Sequence, residues 1–156
     1  MVSTDEHSGG HIAVPRRDGW KLSVEFGRLN DGSMPAKEFL DSLKPKDRDC
    51  LLATLERVAE HGVLGVNNNK RFKQERDFWA AKKRNCKGGP KGRDMVRLPG
   101  FVSRDRFILT HGFWKPPKSP WPEKEFTTAE TIRQEILARE QSKKGGHNGE
   151  LHRQNP

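Results

Sequence analysis

Gly92–Pro120 reads GRDMVRLPGFVSRDRFILTHGFWKPPKSP, and the architecture of the chain turns on these residues. Arg93-Asp94-Met95-Val96-Arg97-Leu98 alternates polar and apolar side chains, the period of a half-buried strand. Arg106–Phe113 is rich in aromatic and branched residues and runs into a proline pair, which predicts a second strand. Pro99-Gly100 between them is turn chemistry. The expected result is an antiparallel hairpin that gathers Arg97, His111 and Lys115 near one end. Cations around a histidine suit an anion, and phosphate comes first.

Charge is concentrated in the same region. Lys70 to Lys118 holds fifteen Lys and Arg against Glu75, Asp77, Asp94 and Asp105, a net of +11 in a chain whose total is +9. All the excess therefore sits in the middle of the sequence. Such asymmetry points to nucleic acid, through phosphate neutralisation and counterion release; a solvated basic face is the plain alternative.

The length of 156 residues suits one domain. No apolar run approaches the roughly 18 residues of a membrane span. Arg16-Arg17 has no apolar run behind it and so does not read as an export signal. A cytoplasmic protein without membrane association is expected. Cys50 and Cys86 lack metal-site spacing. Cys50 falls in a helical apolar pattern and reads as buried, and Cys86 falls in a basic loop and reads as an exposed thiol. His7, His11, His147 and His152 lie near the ends, and no metal site is read there.

Along the chain, Met1–Arg17 is polar and aperiodic and reads as a disordered leader, residues 1–17. Trp20, Leu22, Val24 and Phe26 alternate on one face of a strand. A helix is expected from Met34 to Leu43 with Ser33 as its cap, and a second runs to about Glu60. The second carries a stripe of Leu51, Leu55, Val58 and Ala59, with Gly62 as a left-handed cap. Its outer face, Lys46 to Asp49 with Glu56, Arg57 and Glu60, reads as solvated surface. Phe78–Ala81 is a short strand, and Lys82–Gly92 a flexible basic loop. Thr127 and Glu130 form a capping box ahead of a helix with Ala129, Ile132, Ile136 and Leu137 on one face. From Ser142 the tail reads as unfolded. The domain is thus residues 18–141, followed by a disordered tail, 142–156. The class is α+β: two helices packed on a small, mostly antiparallel sheet, then a C-terminal helix.

That order, with these residues, resembles the RelE/HigB superfamily of toxins, in particular its phage-derived branch. The likeness spans Trp20 to Glu140. It rests on Phe39-Leu40-Asp41-Ser42-Leu43, Ala59-Glu60-His61-Gly62, Phe78-Trp79-Ala80-Ala81-Lys82, Arg97, and Ile108–Lys115 leading to Lys118-Ser119-Pro120. The resemblance implies a RelE-like fold and a toxin that inhibits translation by cutting mRNA in the ribosome. It implies a cognate antitoxin, a small helix-turn-helix protein, and no metal or cofactor. The family often has Glu-Leu-Arg where this chain has Ala80-Ala81-Lys82, and often a tyrosine where this chain has none. A non-catalytic RNA- or ribosome-binding protein of the same fold therefore stays open.

RNA cleaves itself when a 2′-hydroxyl attacks the adjacent phosphate, which calls for a base, an acid and cations. His111 is the expected base or acid because histidine titrates near neutrality. Arg97 is the expected oxyanion partner, since its planar fork matches two phosphate oxygens. Lys82 and Lys115 complete the catalytic candidates, and a lysine among cations can donate a proton. Lys83, Arg84, Lys87, Arg93, Trp114 and Lys118 are the candidates for RNA binding. Trp79, Phe101, Phe113 and Trp114 are either core or a platform for base stacking.

Overall fold

The structure is a computed structural model that describes residues 11–66 and 69–154, with side chains up to Ser142. Seven strands form one open sheet: β1 (Ile12–Val14), β2 (Ser23–Phe26), β3 (Phe72–Glu75), β4 (Phe78–Lys83), β5 (Met95–Ser103), β6 (Arg106–Leu109) and β7 (Phe113–Lys115). Helices α1 (Pro35–Asp41) and α2 (Pro45–His61) follow β2, and α3 (Glu123–Gln154) follows β7. The strand order is β1-β2-β6-β5-β4-β3, with β7 also paired to β5. Every ladder is antiparallel except β2 with β6, where Val24 stands opposite Phe107. The class is α+β with a mostly antiparallel open sheet.

Alternation along each strand divides the apolar residues between two cores. Val24, Phe26, Phe72, Ala81, Val96, Leu98, Phe107 and Leu109 pack with Leu40 of α1 and Leu51, Leu55 and Val58 of α2. Their strand neighbours Phe78, Ala80, Phe101, Ile108 and Phe113 point the other way, onto Ala129, Ile132 and Ile136 of α3. The sheet is therefore covered on both faces, by α1 and α2 on one and by α3 on the other. Lys82 follows the parity of Ala80, and Arg97 that of Phe101, so both share the α3 face.

The expected alternation of Trp20 to Phe26 is present: Leu22, Val24 and Phe26 are buried and Trp20 packs on the same core. The hairpin differs in its turn. Strand β5 continues straight through Pro99-Gly100 and reverses at Arg104-Asp105, with Arg104 at φ +60°. Pro99 falls where β6 gives way to β7, and its carbonyl accepts the Thr110 N–H at 2.9 Å. Gly100 is required for close approach: a Cβ there would lie 2.7 Å from the Ile108 carbonyl and from the Phe107 ring.

The ends of the domain also differ from expectation. Within the expected leader, Ile12–Val14 forms β1 and pairs with β2, and Val14 is buried; residues 1–10 lie outside the described residues. Strands β1 and β3 are too short to show a period, and their pairing comes from the neighbouring strand. Met34, not Ser33, stands at the start of α1. Gly62 has φ +80° but ψ 166°, so it turns the chain outside the left-handed helical region. Helix α3 begins four residues before Thr127, whose hydroxyl donates back to the Glu123 carbonyl at 3.3 Å instead of capping. It runs through the tail expected to be unfolded, as far as Gln154, since extending an existing helix is far easier than starting one.

Candidate nucleic-acid interface

Three of the expected site residues come together. Lys82 on β4 stands directly opposite Arg97 on β5, and Arg97 stands opposite Phe113 on β7. Lys115, two residues beyond Phe113 on the same face, pairs with Met95. Directly opposed residues such as Lys82 and Arg97 have Cβ atoms about 5 Å apart, and a diagonal neighbour such as Lys115 lies roughly 7–8 Å from Arg97. Arg97 is only 5% exposed and Lys115 4%, an unusual depth for cations. Arg97 Nη1 donates to the Val96 carbonyl at 3.1 Å. Lys115 Nζ donates to the carbonyls of Pro116 (3.0 Å) and Ser119. Among the described residues neither of them, nor Lys82, forms an ion pair with a carboxylate. Buried cations without a directly paired carboxylate are costly, and an arriving anion relieves that cost.

The electrostatics follow from this crowding. Burial first, then Arg97 and Lys73, bring the Lys82 ammonium down to about 8. Its Nζ donates to the Asn69 carbonyl at 2.7 Å. Burial and the Arg97 charge also lower Lys115. Desolvation lowers the Arg97 guanidinium from its ordinary value, with Glu75 opposing, yet arginine keeps its charge at any biological pH. Glu75, on β3 and on the same face, is the carboxylate whose charge reaches all three cations.

His111 has a different setting from the one expected. Its Nδ1 lies 3.0 Å from the Thr110 hydroxyl and its Nε2 3.0 Å from Glu125 Oε1 on α3. The ring stacks on Phe113 at 5.6 Å between centroids and is only 6% exposed. Both nitrogens are occupied by protein groups, so neither is free to take a proton from substrate in this arrangement. Burial pulls the imidazole below its ordinary value, against the opposing pull of Glu125. The histidine ties the link between β6 and β7 to α3.

The expected RNA-binding residues scatter. Lys83 alternates to the opposite face from Lys82 and lies 3.6 Å from Asp47, at the start of α2. Arg84, Lys87, Arg93 and Lys118 are exposed. Trp114 belongs to the α1/α2 core: Phe39 meets it edge-on at 6.0 Å, and Gly89 lies against its ring. It is half-buried and packs on that core, a setting closer to core than to a platform for a base. Trp79 stacks on Phe72 at 5.4 Å, and Phe101 and Phe113 are buried, so these aromatics are core as well.

Several participants were missed in the sequence. Asp47, read as solvated surface, is 5% exposed; it pairs with Lys83 and accepts the Lys87 N–H at 3.4 Å, which anchors the basic loop. That loop is further closed by Cys86 N–H to the Asp94 carbonyl at 2.9 Å. Cys86 is buried and its thiol is pushed up to about 11, by burial and then by Asp47. Cys86 is thus buried where an exposed thiol was expected, and Cys50, expected to be buried, is half-buried. Glu75 and Glu125 carried no local signal, because only the sheet and α3 bring them to the site. Among the described residues no group of His, Cys, Asp or Glu is arranged to hold a metal, and no helix is long and apolar enough to cross a membrane. No family model matches this chain, and no curated protein matches it.

Proposed function

We propose that the chain binds RNA phosphate at Lys82, Arg97 and Lys115 and acts as a RelE/HigB-like toxin, a ribosome-dependent mRNA endonuclease held by a cognate antitoxin. The observation that carries the reading is the pair of buried cations, Arg97 and Lys115, without an ion pair on the face that Lys82 borders. A phosphodiester supplies the missing negative charge, and the Arg97 fork grips its two non-bridging oxygens. In the reaction the 2′-oxygen bonds to phosphorus and the bond from phosphorus to the 5′-oxygen breaks. The 2′-proton passes to a base, and the 5′-oxygen takes a proton from an acid. Lys82, with its pKa brought down to about 8, is poised for either transfer near neutral pH. Arg97 and Lys115 offset the charge that builds on the phosphorane.

A second reading, an RNA- or ribosome-binding protein that does not cut, is favoured by one observation. His111, the residue best suited to proton transfer, is bound at both nitrogens. Adding the protein to ribosomes translating a defined message and mapping the RNA ends separates the two. Codon-phased cuts that disappear in Arg97→Ala and Lys82→Ala support the enzyme. Stalled ribosomes on intact message support the binder, and normal elongation rejects both.

A further inference from the structure

Beside Lys82 a cleft of about 560 Å³ opens between the start of α2, the turn before β3 and the end of β4. Six of its eight lining residues are Lys or Arg (Lys46, Lys70, Arg71, Lys82, Lys83 and Arg84) and none is acidic. Lys46, Arg71 and Arg84 are exposed and form no ion pair among the described residues. The floor is firm: the Lys82 N–H donates to the Arg71 carbonyl at 2.8 Å, and Lys83 is backed by Asp47. No aromatic side chain lines the cleft, so it offers nothing for a base to stack on. Lys82 is common to this cleft and to the pair it makes with Arg97.

We propose that the cleft holds the backbone phosphates flanking the one at Arg97, so that a single RNA strand passes over Lys82 from one site to the other. This rests on the reading of Arg97 as a phosphate site. The chemistry is that of a backbone track: positive charge in quantity, no carboxylate among the lining residues, and no group that distinguishes bases. Affinity then grows with strand length and is indifferent to sequence over the cleft. Its salt dependence reports the number of phosphates engaged.

The test uses the full chain, a labelled single-stranded RNA decanucleotide and a labelled dinucleotide with one phosphodiester, read by fluorescence anisotropy across a salt series. The variants are Lys46→Gln/Arg71→Gln in the cleft and Arg97→Gln at the sheet, with Arg97→Lys if the latter fails to melt cooperatively. In the cleft variant, decanucleotide affinity should fall about tenfold, and the slope of log K against log salt should shrink by about 1.4, the value for two contacts to a single strand. Dinucleotide binding should stay as in the wild type. Unchanged decanucleotide affinity and slope in the cleft variant would overturn the cleft. So would equal slopes for the two RNAs on the wild-type protein. A decanucleotide that weakens in the cleft variant but ignores Arg97→Gln and Arg97→Lys would instead locate the failure at Arg97 and leave the cleft standing alone.

Discussion

Lys82 has an environment that works against its own charge, and this makes its proton measurable. Its folded pKa, about 8, lies below the ordinary lysine value of 10.5. Between those two values the unfolded chain binds more protons than the folded one, so stability rises with pH across that window. Lys82→Met should therefore raise the melting temperature at pH 7, and the gain should shrink as pH rises from about 8 and vanish near 10.5. RNA affinity should move oppositely, falling in the wild type as pH rises through about 8 and staying flat in the variant. A thermal melt and a binding titration at each pH check both halves. His111 gives the complementary case. Because burial lowers its folded pKa below 6.5, the unfolded state takes up the proton first on acidification, and stability falls below that pH. His111→Ala leaves Glu125 and Thr110 without their partner and should cost roughly 2 kcal/mol in denaturant unfolding. Under the proposed function, any loss of RNA cutting should track that unfolding. A fully folded His111→Ala protein that binds message but cannot cut it would restore the histidine as the proton-transfer group.

Among elements, α1 and the approach to β7 meet with no room to spare. A Cβ on Gly112 would come within 2.5 Å of Phe39 Cγ, so Gly112→Ala should destabilise by about 1–3 kcal/mol through overpacking. Adding Phe39→Leu should recover part of the loss, and the pair of denaturant midpoints tests it. The helix over the other face depends on a small core, and Ile136→Ala within it should cost about 2–5 kcal/mol. These elements were legible to different degrees. Leu51, Leu55, Val58 and Ala59 on α2, and Ala129, Ile132 and Ile136 on α3, show a helical period strong enough to read along the chain, and all of them are buried. The β5–β6 pair was legible too, but its turn was misplaced. Pro99 and Gly100 are turn formers in isolation, whereas here a strand switch and a close ring contact call for the same two residues.

Taken as a whole, the molecule sets a basic middle against near-neutral flanks, and its binding to a polyanion should be governed by salt. If about four phosphates are neutralised by Lys82, Arg97, Lys115 and the cleft, log K for single-stranded RNA falls against log salt with a slope of about −3. A slope near zero would mean that the positive residues do not act together. Where those residues sit was the part hidden from a linear reading. The surplus charge, the α+β order and the burial of the main helical stripes were set by composition and period alone, because each is a local property of the chain. The neighbours of each charge were not. Lys82 and Lys83 are adjacent in sequence and face opposite sides of the sheet, and His111 meets a glutamate fourteen residues on across a packed interface. Whether a cation is paired, buried or open to solvent depends on which segments the fold brings alongside it. Tertiary structure alone decided that.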